Sequence, residues 1–291
     1  MKPASAQVQS VREFLDDFLS RDVLDIVTKL TVIMLIIHLT EIRATIIILC
    51  GVAVLFPKVG RSTYFWLLVF VSLATAIFIN WHLMDNHIYL IAYWCLTLSL
   101  VTAGPGAGRV LHVNARLLIG LCFLFATFWK AVSPDYLSGD FFHFTLLTDP
   151  RLESFARLVG GVPERAFVEN AQTVSELSGA PEGREAFLQG TPLLAWVAQV
   201  LTWLTIVMEG LLALAFLLPL PPSLAVWRHV LLLLFALGTY SIAPVIGFGW
   251  VLMIMGLAQC EEEHKWLRLA YIVVFFVLIT FRLPWPSFFL S

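Results

Sequence analysis

Long apolar runs separated by short polar breaks occupy most of this chain. A helix that crosses the hydrocarbon core of a bilayer needs ~20 predominantly apolar residues. The runs that approach or reach this length are 24–39, 42–57, 63–83, 87–104, 111–132, 192–218, 224–243, 245–260 and 265–283. The pattern predicts an all-α protein, a polytopic integral membrane helical bundle with about eight or nine transmembrane helices. The second and eighth of these runs are short.

Residues 133–190 are the long polar stretch between two of these runs. Asp149-Pro150 supplies an N-cap followed by proline at the first helical position, and Gly160-Gly161 is a typical helix end. A second apolar stripe has helical period: Phe167, Ala171, Val174 and Leu177. Pro181 can open a third short helix. We therefore expect a small amphipathic helical cap on the outer face of the bundle.

The N-terminal segment is polar overall but carries apolar residues at helical spacing: Val8, Val11, Phe14, Leu15, Phe18 and Leu19. This spacing predicts an amphipathic helix that lies along a membrane face or packs on the bundle. The chain thus divides into an N-terminal amphipathic segment, 1–22, and a transmembrane domain, 23–291, into which the extracytoplasmic loop 133–190 is inserted.

Composition supports the membrane class and excludes others. The chain is 59% hydrophobic and 13% charged, whereas soluble domains average about 25% charged residues. The net charge of −2 gives no electrostatic footprint for nucleic acid. The four cysteines lie in or beside apolar runs, without the spacing of a disulfide framework or a metal site. We expect no metal.

The distribution of lysine and arginine predicts the orientation, because cytoplasmic loops are enriched in both. With nine spans and a cytoplasmic N-terminus, the inner segments hold Arg12, Arg21, Lys58, Arg61, Arg109, Arg228, Lys265 and Arg268. The short outer loops hold Arg43 and little else. A multi-pass protein with a cytoplasmic N-terminus and an extracytoplasmic C-terminus is therefore expected. This orientation puts His87, Lys130 and the loop 133–190 on the outer side.

Two ionisable residues near the predicted membrane interior are candidates for chemistry. Lys130 ends an apolar helix, where it either reaches the headgroups as an anchor or loses its proton easily and acts as a base. Glu209 lies inside an apolar run, where a carboxylate is costly unless it is paired or protonated. Its partner is Lys130, His87 or Arg116, and a purely structural ion pair is the alternative to a functional role.

The segment that opens the fourth span carries further polar groups. Asp85 or Asn86 fits an N-cap of that helix. Alternatively His87, with Asn86 and Tyr89, supplies hydrogen-bonding and proton-transfer groups that face the bundle. Arg116 heads the fifth span, where it either anchors the helix at the inner interface or contributes to binding.

These segments together resemble a known family. Asp-Asn-His-Ile-Tyr-Leu (85–90), the Arg116–Lys130 helix with its Asp135-Tyr136 and Gly139 sequel, Met-Glu-Gly-Leu-Leu (208–212) and Ile-Gly-Phe-Gly-Trp-Val-Leu-Met (246–253) occur in the order seen in the HTTM domain. That domain is the membrane domain of vitamin K-dependent gamma-carboxylases. The resemblance covers about residues 20–283, and the acid followed by small residues is also similar to the wider DoxX-like membrane families.

The resemblance implies a mechanism. In the carboxylases a lysine deprotonates reduced vitamin K, oxygen converts the quinol to a strongly basic alkoxide, and the alkoxide strips a proton from a peptidyl glutamate that then takes up carbon dioxide. Carried over, Lys130 would be the quinol base, His87 would assist, and Glu209 falls where the family has an acid. The implied cofactor is a reduced, vitamin K-like quinone. The implied partners are membrane lipid or quinone and a protein substrate.

The chain also departs from the family. The carboxylases have two adjacent lysines, whereas Lys130 is followed by Ala131, which leaves the register open by one residue. A histidine expected before the Ile-Gly-Phe segment is missing from 236–241, and we expect no counterpart of the large lumenal domain. A quinol-dependent carboxylase-like enzyme and a non-catalytic scaffold or lipid- or partner-binding module both remain as hypotheses. A transporter is disfavoured, because there is no inverted repeat.

Overall fold

The computed structural model describes residues 17–38, 44–177, 185–243, 245–261 and 263–281. Within these ranges the regular structure is helical and no strand occurs. The α-helices are α1 (Val23–His38), α2 (Ala44–Leu55), α3 (Thr63–Ile79), α4 (Asn86–Thr102), α5 (Ala107–Val132), α6 (Pro134–Leu137), α7 (Asp140–Thr148), α8 (Glu153–Leu158), α9 (Glu164–Leu177), α10 (Pro192–Leu217), α11 (Pro222–Ile242), α12 (Ile246–Leu257) and α13 (Lys265–Thr280). Short 3-10 turns occupy Val59–Arg61, Trp81–Leu83 and Pro150–Leu152.

Each apolar run predicted from the sequence coincides with a helix in the described part of the chain, namely α1 to α5 and α10 to α13. Three helical stretches are long and apolar enough to cross a membrane: Ala107–Val132, Pro192–Leu217 and Ser223–Ile242. The apolar helices α2, α3 and α12 are shorter. By length and composition, the fold is therefore an all-helical bundle with three candidate membrane spans among the described residues.

Helix α12 occupies the centre of the bundle. It packs against α1, α4, α5, α11 and α13, and nearly all of its side chains are buried. Its glycines permit this close packing, because a Cβ at Gly247 would collide with His38 and one at Gly256 would collide with Tyr271. The glycine-rich start of the Ile-Gly-Phe-Gly segment thus has a packing role that follows from sterics alone.

Helices α5 and α10 form the most extensive helix pair and run antiparallel with an offset. Gly120 packs against Phe216 near the end of α10. Gly210 lies against Thr127 near the end of α5, and a Cβ built at Gly210 would lie 3.7 Å from the Thr127 methyl group. The N-terminal half of α10 therefore extends beyond the C-terminus of α5. That projecting half supports the residues that follow α5.

Helices α6 to α9 form a small cap around the projecting half of α10. They share a core of their own with it: Leu146, Leu147, Leu152, Ala156, Val162, Ala166, Leu194, Val197 and Ala198. Thr191 accepts a hydrogen bond from the Leu194 amide at the start of α10, at 3.0 Å. Asn170 bonds both to the amide and to the carbonyl of Gln189. The cap is thus anchored on α10 and defines one end of the bundle, the cap end.

The helix boundaries in the cap follow the sequence predictions, but the predicted apolar stripe of α9 is not a buried face: Phe167 is buried, whereas Ala171 is exposed and Asn170 is buried instead. Asp149 begins the turn at Pro150, which continues as α8, and its side chain accepts from the Arg151 amide at 2.9 Å. Gly160-Gly161 ends α8, with Gly161 in the left-handed region at φ 66°. The predicted helices over most of the N-terminal segment and at Pro181 lie outside the described residues. Leu19, the last apolar residue of that segment, is buried.

The outer surface of the bundle is apolar along several helices. On α10 the exposed large side chains recur every three or four residues: Leu193, Trp196, Val200, Trp203, Leu204, Val207, Leu211 and Leu214. Soluble monomers rarely expose extended apolar faces of this kind. The face is suited to contact with lipid hydrocarbon.

Candidate functional site

An ion pair between Lys130 and Glu209 lies at the cap end. Lys130 is in the last turn of α5 and its Nζ donates to Oε1 of Glu209 on α10. Their side chains are 22% and 9% exposed. Helices α5 and α10 approach each other closely at Thr127 and Gly210, so the side chains of Lys130 and Glu209 can reach each other. Of the three partners considered for Glu209 from the sequence, the structure selects Lys130.

Tyr136 covers the ammonium of this pair. Lys130 Nζ lies 5.5 Å from the centre of the Tyr136 ring, a cation–π geometry that stabilises a partly exposed cation by ~0.5–1 kcal/mol. Burial and the negative charge of Glu209 raise the pKa of Tyr136. Tyr136 therefore stays neutral beside the pair. In the sequence, Tyr136 stood out only as part of the Asp135-Tyr136 segment that carries the family resemblance.

Several buried polar atoms near this pair have no hydrogen-bond partner within the described residues. They include Oε2 of Glu209, Oγ1 of Thr127 and the hydroxyl of Tyr240. Tyr240 on α11 lies close enough to Glu209 for their charges to interact. A buried polar group that makes no hydrogen bond costs ~1–3 kcal/mol. The pair therefore presents unused acceptor and donor capacity to an additional polar group.

His87 forms a second centre, with His38 rather than with Lys130. The Nε2 atoms of His38, at the end of α1, and His87, in the first turn of α4, are 2.6 Å apart. At this distance one Nε2 must carry the proton and the other must accept it, so the two imidazoles share one N–H. Trp250 of α12 meets His38 edge-on, with ring centroids 6.2 Å apart.

His38 was missed in the sequence. Its only signal was a histidine at the end of the first apolar run, on the same predicted side as His87. No periodic pattern connects residues that far apart along a chain. The packing of α1 and α4 against α12, which Gly247 permits, brings the two rings together.

The residues around His87 have structural partners of their own. Asp85 is the N-cap of α4, but its side chain makes no capping hydrogen bond. The expectation that Asp85 closes the free amides with its side chain is wrong, because its backbone carbonyl accepts from Ile88 instead, at 3.0 Å. Asn86 is the first residue of α4. The Tyr89 hydroxyl donates to the carbonyl of Trp81 at 2.9 Å and so fixes the turn before the helix.

Two of the cavities among the described residues lie along the sides of the bundle. The larger, of about 570 Å³, is an aromatic groove between α3 and α4 to which Tyr89 and Tyr93 contribute. The second, of about 420 Å³, lies between α10 and α11. Neither Lys130 nor His87 lines either of them.

The first turn of α12 lies between the two centres. Gly247 faces His38, whereas Phe248 packs against Phe123 of α5 and Tyr240 of α11, with ring centroids 6.3 and 6.5 Å apart. Lys130 with Glu209 and His87 with His38 are thus two polar centres at the same end of the bundle. The structure does not bring Lys130 and His87 into direct contact.

Arg116 belongs to the opposite end. It precedes Lys130 on α5 by a helical distance of roughly 21 Å. It therefore takes no part in the cap-end site. Within the described ranges no group of three histidine, cysteine or acidic side chains could hold a metal ion.

Comparison of the chain with protein-family models, with curated proteins and with solved structures finds no match. The likeness to HTTM domains rests on the sequence segments around His87, Lys130, Glu209 and Gly247.

Proposed function

We propose that this chain is a multi-pass membrane protein with about eight or nine spans, a cytoplasmic N-terminus and an extracytoplasmic cap. The lysines and arginines assigned to the cytoplasmic side include residues that lie at the end of the bundle away from the cap, which supports this orientation. Arg61 pairs with Asp25 at the start of α1, at 3.0 Å. Arg268 of α13 donates to the carbonyl of Leu19, at 3.0 Å. These contacts form one cation-rich end, as expected for a cytoplasmic face.

We further propose that the Lys130–Glu209 pair is a proton-accepting site for a hydroxyl-bearing lipid of the reduced-quinone class. One observation carries this proposal: Oε2 of Glu209 is buried and lacks a partner, while Oε1 holds Lys130. Such a site fits a ligand that donates a hydroxyl. The buried Tyr240 and Thr127 hydroxyls, which also lack hydrogen-bond partners among the described residues, are the candidates to bond a second oxygen of the same ligand.

The geometry refines the assignment of the base. A charged ammonium has no lone pair, so Lys130 cannot take a further proton while it is paired. The free acceptor is Oε2 of Glu209, which receives the proton from the ligand hydroxyl. Lys130 then holds positive charge beside the oxygen that has lost its proton, which favours the transfer. A reduced quinone supplies the acidic hydroxyl and the electrons for later oxygen chemistry. Lys130 and Glu209 act together as the base that the family resemblance assigns to Lys130 alone.

His87 supplies a separate proton-holding group in this proposal. The shared N–H of the His38–His87 pair can move between the two rings. Such a pair can pass a proton without a net change of charge inside the bundle. His87 therefore assists at a distance from Lys130 rather than in contact with the same ligand atom.

The test uses the purified protein in mild detergent. We expect mass spectrometry of the co-purifying small molecules to detect an isoprenoid quinone. With the hydroquinone of a vitamin K-class quinone, the protein should consume oxygen. Lys130→Ala and Glu209→Gln should remain folded and lose this activity. Arg165→Gln, which removes a charge on the exposed face of the cap, should retain it. Full quinol-dependent turnover in the Lys130→Ala protein would refute the proposal.

A non-catalytic scaffold or lipid-binding module is the second candidate. The observation that favours it is that Lys130 and His87 each have a satisfied partner and line neither cavity. On this hypothesis both pairs only hold helices together. The protein would then bind no quinone and show no quinol-dependent oxygen consumption, and the Lys130 and Glu209 variants would change stability alone.

A further inference from the structure

We propose that the end of the bundle opposite the cap binds an anionic phospholipid, with its phosphate at Arg228 and Arg116 and an acyl chain in the groove between α10 and α11. This inference rests on the proposal that the bundle lies in a membrane. It does not depend on any chemistry at Lys130 and Glu209.

Among the described residues, Arg228 is a buried cation without a counterion. The residue is 6% exposed, and its Nε has no hydrogen-bond partner. Within the described residues, its nearest recorded interaction is with the ring of Phe216, whose centre lies 6.0 Å from the guanidinium carbon. A charged side chain in such surroundings is costly unless an anion accompanies it.

Arg116 is partly buried, and its Nε likewise lacks a hydrogen-bond partner among the described residues. It precedes Gly120 by about one helical turn, and Gly120 packs against Phe216, the ring that Arg228 contacts. The two guanidinium groups are close enough for their charges to interact. Two neighbouring arginines repel each other. An anion between them would remove this repulsion and satisfy both donors.

The described side chains nearby do not supply that anion. Among the described residues neither arginine forms a salt bridge. His112, one turn before Arg116, interacts electrostatically with both arginines and with Glu261. Glu261 is exposed and lies 4.0 Å from His264 rather than with an arginine. His229 is bonded to Tyr271 at 2.9 Å and adds no negative charge.

The groove supplies the apolar part of the site. Its volume is about 420 Å³, and Arg228 is its charged lining residue. The walls are aliphatic and aromatic, and include Leu211, Leu214, Leu218, Leu224, Trp227 and Leu231. The α11 wall from Leu224 to Leu234 is roughly 15 Å long. The combination of a long apolar groove and a cation about one helical turn from the Leu224 end of its α11 wall fits an amphipathic ligand with an anionic head.

These walls favour a lipid over free phosphate. Inorganic phosphate would use the guanidinium groups but leave the groove unfilled, whereas a phospholipid uses both. The leaflet that faces a cation-rich cytoplasmic end is also the one rich in anionic lipids. Phosphatidylglycerol should therefore bind better than phosphatidylcholine with the same acyl chains.

The experiment is native mass spectrometry of the full chain in mild detergent, titrated with phosphatidylglycerol, phosphatidylcholine or inorganic phosphate. We expect retention of phosphatidylglycerol, and a loss of affinity by about tenfold or more in the Arg116→Gln/Arg228→Gln variant. Arg228→Lys should retain part of the affinity. Arg109→Gln removes an exposed charge from the same end of α5 and should bind like the unchanged chain.

A variant in the groove tests the proposal independently, in case the arginine variants fail to fold. Leu224→Glu places a negative charge at an exposed lining position, so the protein should fold but lose phosphatidylglycerol. Equal binding of phosphatidylglycerol by the double arginine variant would overturn the proposal. Displacement of the lipid by millimolar phosphate would also overturn it. A protein that is monodisperse without detergent would contradict the membrane proposal instead.

Discussion

Lys130 and Glu209 depend on each other, because each leaves a charge in poorly hydrated surroundings when the other is removed. Breaking a buried ion pair on one side typically costs ~3–5 kcal/mol, whereas replacing both partners by apolar residues is often neutral or stabilising. Lys130 is 22% exposed and lies in the last turn of its helix. It can therefore recover some hydration, and the cost of losing Glu209 should lie at the lower end of this range.

Glu209→Leu alone should therefore destabilise the protein by ~3 kcal/mol, and the Lys130→Met/Glu209→Leu double variant should recover most of that loss. The measurement is a double-mutant cycle by unfolding in detergent. The exposed pair of Arg165 and Glu169 is the control, with an expected coupling of ~0–1 kcal/mol. A coupling at Lys130–Glu209 no larger than that of the control would contradict the account of a buried, mutually dependent pair.

At the same scale, the sequence predicted some site residues and missed others. Lys130 and Glu209 could be recognised because charge in an apolar run is conspicuous, and their pairing was one of three alternatives. The His38–His87 contact could not be predicted, because it depends on how α1 and α4 pack on α12. The Nε atoms of Arg116 and Arg228 have no hydrogen-bond partner among the described residues, which is likewise a property of packing. In the sequence both arginines resemble ordinary interface anchors.

At the scale of elements, the hydrophobic pattern predicted the helices and was less accurate at their ends. Helix α3 ends at Ile79 rather than at 83, because the chain leaves the helix at Asn80 and forms a separate 3-10 turn. Helix α5 begins at Ala107 rather than at 111, because Gly106 adopts a left-handed conformation, φ 84°, that starts the helix there. The hydrophobic pattern shows which residues avoid water, whereas the helix ends are set by the backbone conformation of residues such as Asn80 and Gly106.

Asp149 provides a test of an element boundary in the cap. Its carboxylate caps the turn before α8 and also binds Arg151, with Nη2 of Arg151 2.6 Å from Oδ2. Asp149→Ala should lower the stability of the cap by ~0.5–2 kcal/mol. Asp149→Asn retains the cap acceptor but loses the ion pair, so it should cost less. Hydrogen exchange of the α8 amides measures both effects. Equal exchange in all three proteins would contradict the capping role.

The same residue predicts a pH dependence. Hydrogen bonds from Arg151 hold the pKa of Asp149 below its ordinary value. A group with a lowered folded-state pKa contributes stability above its unfolded pKa and loses it as the pH falls through the folded value. Protection of α8 should therefore fall in acid more steeply in the unchanged chain than in Asp149→Asn. Parallel pH profiles in the two proteins would oppose this explanation.

At the scale of the whole molecule, the cap and the cation-rich end define two chemically different faces. The orientation proposal predicts that a cysteine at Arg165 in the cap reacts with a membrane-impermeant maleimide on intact cells. A cysteine at Lys58, between α2 and α3, should react only after permeabilisation. Cys50, Cys95 and Cys260 are buried and Cys122 is partly buried, so the parent chain should react weakly. Labelling of the Lys58 variant in intact cells would reverse the proposed orientation.

The position of α12 has a consequence for how this protein is made. A helix of this length spans only ~18 Å, well short of the ~30 Å hydrocarbon layer, and its neighbours enclose it on nearly every side. During synthesis it would emerge before α13, one of the helices that cover it, has been translated. We therefore expect its insertion to be delayed until α13 arrives. A chain truncated just after α12 should leave that segment poorly inserted and exposed to quality-control proteases.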